Sequence, residues 1–159
     1  MATGPMTTDE IDAFVQALGG VLVLRPQEGD GTPEVAWGDL FFYEAPDGVL
    51  PPGQPFATVV TKDYPGEPSS DLDRPGAFRV NVHVGRAALD DLVEPPGGQG
   101  VDVAGAGDPT ARDVVLRHPV YGDLGWAAVV EPGERTRARV EAMLRQAHAD
   151  ARTRRLRRS

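Results

Sequence analysis

Two alternating runs on either side of a long polar loop constrain this chain more than any other feature. They lie within Pro55–Arg86. The second run, Ala77–Val84, puts Phe78, Val80, Val82 and Val84 on one face and Arg79, Asn81 and His83 on the other. The first, Phe56–Lys62, separates Phe56, Thr58, Val60 and Lys62 from Ala57, Val59 and Thr61. A two-residue period is that of a strand with one buried face. Two such neighbours predict antiparallel pairing, which tolerates one wet face. Their connection, Asp63–Gly76, is too long for a tight hairpin and carries Pro65, Gly66, Pro68, Pro75 and Gly76, so it is not helical throughout. Connections this long inside a domain are functional, self-packed or disordered.

The flanking chain supplies helices at both ends. Thr7 is an N-cap with Glu10 as its capping-box partner. Ile11, Phe14, Val15 and Leu18 then recur at helical spacing, and Gly19-Gly20 ends the helix. Val21–Leu24 reads as a short strand. Val35–Trp37 and Leu40–Glu44 read as a strand or hairpin whose aromatics Trp37, Phe41, Phe42 and Tyr43 feed the core. Arg86–Val93 reads as a short helix, Thr110–Leu116 as a helical turn and Gly125–Val130 as the last strand. A final helix starts near Glu134, with Val140, Met143, Leu144 and Ala147 inward. Adjacent strands with terminal helices predict an α+β fold: a mainly antiparallel sheet with the N- and C-terminal helices on one face. At 159 residues the chain predicts a single domain over 7–150, flexible tails at 1–6 and 151–159, and a Pro/Gly-rich excursion at 94–109.

Cysteine is absent, which excludes disulfides and thiolate metal sites and fits a cytoplasmic protein. The N-terminus has no apolar segment of the signal-peptide kind, and no apolar run approaches the ~20 residues that span a bilayer. No membrane partner is expected. The net charge is −8, but residues 151–159 carry five arginines and no acid; removing their +5 leaves −13 on the remainder. An acidic body disfavours nucleic acid as a partner, although Arg152, Arg154, Arg155, Arg157 and Arg158 offer a local cationic end.

Several phrases carry a family resemblance: Asp9-Glu10-Ile11, Gly29-Asp30-Gly31, Pro33–Asp39, Pro55–Gly66, Ser70–Gly76, His118–Tyr121 and Gly125-Trp126. Over about Met6 to Ala149 the chain resembles a family of small actinobacterial proteins known as a domain of unknown function. More distantly it is similar to the MmcQ/YjbR-like proteins, which share a Phe-Ala-Thr strand and a Gly-Trp strand before a terminal helix. That resemblance implies a CyaY-like α+β fold and a nucleic-acid-binding role. It implies no reaction and supplies no catalytic residues.

The candidate site gathers around the central pair. Asp63, Tyr64, Ser69, Ser70, Asp71, Asp73 and Arg74 lie on the long loop, with Lys62 and Arg79 at its feet. The loop is either the lip of a pocket or an Ω-loop whose acids cap its own turns. The row Arg79, Asn81 and His83 suits a carboxylate or phosphate, or is a solvated strand face. His118, held extended by Pro119, and Tyr121 approach His83 if the last strand lies beside the central pair. Such a histidine pair with Asp63 or Asp73 would suit a divalent ion, but no HxH or HxxxH spacing exists and no metal or cofactor is assigned. Phosphate-loop, dinucleotide-binding and serine-hydrolase motifs are missing. The chain therefore reads as a non-enzymatic binding module for a small molecule or a protein. The alternatives are nucleic-acid binding and an enzyme using His83 or His118 as acid/base.

Overall fold

The computed structural model describes residues 4–93 and 108–158. Most of the 94–109 excursion lies outside the described residues. The elements run α1 (Thr8–Ala17), β1 (Val21–Leu24), β2 (Leu40–Glu44), β3 (Ala57–Val60), β4 (Arg79–His83), α2 (Arg86–Val93), β5 (Leu116–Arg117), β6 (Trp126–Val130) and α3 (Arg137–Arg158). The six strands form one sheet in the order β1-β2-β3-β4-β6-β5, every neighbour antiparallel. β3 and β4 pair in the register Thr58↔Asn81 and Val60↔Arg79, and β6 adds His83↔Trp126 on the far side. The α+β class and the helices at both ends match the sequence pattern.

One sheet face is the main core. Phe42, Ala57, Val59, Val80, Val82, Ala127 and Val129 pack against Ile11 and Val15 of α1 and Val140, Met143, Leu144 and Ala147 of α3. Thr7 caps α1 as expected, its Oγ1 accepting the Glu10 N–H at 3.0 Å. The Glu10 carboxylate also takes Arg137 at 2.7 Å, which ties the two long helices together.

The opposite face carries Phe41, Tyr43, Thr58, Val60, Arg79, Asn81 and Trp126, and two irregular segments fold over part of it. Leu72, at 1% exposure, fixes the 61–78 connection to the sheet by packing with Val60, Ala77 and Val130. The other cover is 118–125, a turn anchored by His118 N–H donating to Trp126 O at 2.9 Å. It re-enters β6 through Gly125, whose φ of +92° and backbone-to-backbone approach to Gly85 admit no side chain; a Cβ there would lie 2.7 Å from Gly85 Cα.

Several local expectations need correction. Thr110–Leu116 is not a helical turn: Arg112 bridges Val130, and β5 starts at Leu116. Asp113 instead caps α3, its carboxylate accepting the Gly133, Arg135 and Thr136 N–H groups. Glu34–Ala36 is a 3-10 turn rather than strand. Phe42 is the only one of its aromatic group in the main core, because strand parity turns Phe41 and Tyr43 to the other face. Phe56 lies one residue before β3 and packs in the main core against His148, not beside Thr58. Met6, expected in a loose tail, is 3% exposed and its N–H donates to Pro132 O. Residues 151–158 continue α3, where Arg155 forks onto Glu44 at 2.6 and 3.1 Å.

Candidate functional site

Between the two covering segments the sheet face stays open as a cavity of about 440 Å³. β2 contributes Phe41 and Tyr43, and β6 contributes Trp126. The long connection contributes Tyr64 and Glu67, and the 118–125 turn contributes His118, Tyr121 and Leu124. Its polar floor is Arg79 and Asn81 of β4.

Arg79 is 5% exposed. Its Nε donates to Asn81 Oδ1 at 2.8 Å, its Nη1 to Ser70 Oγ at 2.8 Å, and its Nη2 lies 3.2 Å from His118 Nε2. Asn81 completes the row by donating to Thr58 Oγ1 at 2.9 Å. All these partners are neutral, and among the described residues no carboxylate lies within salt-bridge distance of the guanidinium. Burial pulls its pKa below the ordinary arginine value, against the pull of Glu67, Asp63, Tyr64 and Asp39 at longer range. Buried charges normally come with a counter-charge, because desolvation costs several kcal/mol per ion.

His118 is 6% exposed, and its imidazole is surrounded by donors. Nδ1 accepts the Val120 and Tyr121 N–H groups, both at 3.0 Å. Those two bonds take the lone pair of Nδ1 and place the proton of the neutral ring on Nε2. Burial and the adjacent Arg79 charge push the imidazolium pKa down to about 3, so the ring is neutral at physiological pH. Its Nε2–H therefore faces the Arg79 Nη2–H, donor against donor. With its lone pair engaged by the backbone, His118 is a hydrogen-bond donor to the cavity and a poor general base.

The long connection is held by its own acids. Asp63 accepts Ser69 Oγ–H at 2.8 Å and the N–H groups of Ser70 at 2.8 Å and Leu72 at 3.2 Å. Burial pushes its pKa up, but those bonds and the Arg79 charge outweigh it and hold the carboxyl below its usual range. Asp73 accepts the Asp63 N–H, and Asp71, at a φ of 59°, pairs with Arg74, which also reaches Glu131 at 2.8 Å. Asp63, Asp71, Asp73 and Arg74 thus shape the loop and do not line the cavity. Lys62 turns away as well, donating to Trp37 O beside Asp39.

His83 shares strand parity with Arg79 and Asn81 but not their cavity. Its Nε2 donates to Leu124 O at 3.1 Å, and its ring lies obliquely against Trp126, which also lines the Arg79 cavity. It opens on a neighbouring cavity of about 280 Å³ with Arg154 and Arg158. The two histidines do not converge, and among the described residues no three His, Asp or Glu side chains could hold a metal ion together. No helix among the described residues is long and apolar enough to cross a membrane.

The sequence profile of a family of unknown function, DUF6194, matches residues 6–159. The chain belongs to this family. No curated protein and no solved structure matches it. The site in this DUF6194 member therefore rests on its own geometry.

That geometry also rests on Asp39 and Glu67, which the sequence pattern did not single out, and on Ser70 of the polar loop. Asp39 is 1% exposed and joins the loop to β2, accepting Thr61 N–H at 2.8 Å, Thr61 Oγ–H at 2.9 Å and the Tyr64 hydroxyl. Burial, then the Asp39 contact, pushes the Tyr64 hydroxyl pKa up, so it stays protonated. Ser70 holds Arg79, and Glu67 is the acid at the cavity edge. Asp39 follows Gly38 and looks like an ordinary turn acid, and nothing local marks Ser70 as buried.

Proposed function

We propose that this protein is a small-molecule binding module whose ligand occupies the open-face cavity and is anchored by Arg79. The observation that carries this is a buried guanidinium with neutral partners at the floor of an aromatic-walled cavity. Ligand sites are concave, largely apolar and pre-formed, with a few convergent polar groups, and a cavity of 440 Å³ falls within their usual range. At the floor, Arg79 and His118 supply donors and no free base, with the one lining acid, Glu67, at the edge, which favours binding over acid–base chemistry. Tyr121 and Leu124, 45% and 64% exposed, rim the mouth on the short turn that closes one side.

The test is a thermal-shift screen of metabolites on the full chain and on Arg79→Met. A ligand at a hundred times its Kd raises stability by about 2.7 kcal/mol. A shift seen in the wild type and lost in a folded Arg79→Met chain supports the cavity as the binding site. A shift of equal size in both proteins places the ligand elsewhere. Duplex DNA in the same screen tests the nucleic-acid role implied by the YjbR-like resemblance.

A further inference from the structure

Building on that cavity, we infer that the ligand is an aromatic carboxylate whose carboxylate group is shared by Arg79 and His118. Two of the five guanidinium N–H donors have acceptors in the protein, Asn81 Oδ1 and Ser70 Oγ. The other three meet no acceptor among the described residues once the proton of His118 lies on Nε2. The Nε2–H itself points at the same guanidinium, 3.2 Å away. Three guanidinium N–H groups and the His118 Nε2–H are thus left without a protein oxygen to bind at the floor of the cavity. A carboxylate has two oxygens with about four acceptor sites, and a planar guanidinium matches its geometry.

Charge selects the carboxylate over phosphate. The floor carries one positive group and one neutral donor, and Glu67, Asp63 and Asp39 already act on that positive group from farther off. A monoanion balances one buried arginine. A phosphate monoester, near −2 at neutral pH, exceeds it and meets the surrounding acids. The walls select the rest of the molecule. Phe41, Tyr43, Tyr64 and Trp126 line the cavity around the floor, and aromatic side chains pack favourably against planar aromatic groups.

Isothermal titration of the full chain with three matched series tests this. Benzoate, 1-naphthoate and biphenyl-4-carboxylate form the first; their primary amides form the second; the corresponding aryl phosphates form the third. The expected result is that at least one acid binds, at least tenfold tighter than both its amide and its phosphate. Arg79→Met removes the preference for the acid over the amide. His118→Asn keeps an oxygen acceptor for the Val120 and Tyr121 amides but removes the Nε2–H. It weakens the acid several-fold and the amide less, because the bond to a charged acceptor is the stronger one, which keeps the test open if Arg79→Met does not fold. An amide that binds as tightly as its acid, or a phosphate that binds more tightly, overturns the carboxylate and leaves the cavity as a ligand site. Silence from all three series overturns the aromatic acid, and the metabolite screen then decides the cavity on its own.

Discussion

Arg79 and His118 meet 3.2 Å apart across the open face of the sheet, and both present N–H donors at that contact. One comes from the start of β4, the other from a turn 39 residues later in the chain. Each is held from behind: Arg79 by Asn81 and Ser70, His118 by two backbone amides. The result is a pre-organised donor site whose geometry does not depend on a ligand, the arrangement that lowers the ordering cost of binding.

Glu67 edges the cavity and acts electrostatically on Arg79. If the ligand is an anion, Glu67 competes with it. Glu67→Gln should then tighten binding of an aromatic acid by roughly threefold to tenfold, corresponding to about 0.7–1.4 kcal/mol. Titration of wild type and variant at matched salt measures this. Weaker binding in the variant would mean that Glu67 touches the ligand as an acceptor.

Acid should destabilise the protein through His118. Its folded pKa of about 3 lies below the unfolded value near 6.5, so between these values the unfolded chain binds the proton and the folded chain does not. Stability is therefore fully present above pH 6.5 and falls as pH drops toward 3, by on the order of 5 kcal/mol in all. Arg79 is the charged group facing the ring, with Tyr64, Glu67 and Tyr121 around the same cavity. His83, whose pKa is also lowered by burial, adds in the same direction. Asp63 and Asp113, held below their usual range, lose their contribution only under about pH 4. Urea unfolding between pH 7 and 5 should show a slope that is largely removed in His118→Asn.

Asp63→Ala should cost about 2–4 kcal/mol, because it strips acceptors from the N–H groups of Ser70 and Leu72, both buried. It should also weaken ligand binding, since Ser70 positions Arg79. Asp73→Ala removes one exposed hydrogen bond and should cost under about 1 kcal/mol. Chemical denaturation of the two variants distinguishes a loop built on Asp63 from one in which the acids contribute equally.

Gly125→Ala is expected to be among the most damaging small changes. Its positive φ is unfavourable for alanine, and the added carbon would meet Gly85 backbone at 2.7 Å. A loss of about 3 kcal/mol or more, read by thermal or urea unfolding, is predicted. A variant as stable as wild type would show that the 118–125 turn is not pinned at this crossing.

The sequence showed the sheet face clearly and the site only in part. Alternation over Ala77–Val84 sorted Arg79 and Asn81 from the core side chains correctly, because parity is a local property of a strand. Burial of that face is not local: Ser70 and His118, from elsewhere in the chain, close on Arg79, while His83 opens on a different cavity. The loop acids were legible as turn formers, and Asp63 plays that part. β5 escaped notice because two residues have no measurable period. Asp39 looks like any acid after glycine until Tyr64 and Thr61 fold onto it. His118 was marked by its proline neighbour, but the tautomer that makes it a donor is set by two backbone amides no pattern reveals.

The most direct measurement is an NMR titration of nitrogen-labelled protein with 1-naphthoate, following the Arg79 Nε–H and His118 Nε2–H signals. The account predicts that both shift together and saturate with one affinity, while the His83 ring and the Arg154 and Arg158 side chains stay in place. Shifts confined to the His83 cavity, or no shift at Arg79 and His118 while the acid binds, would contradict it.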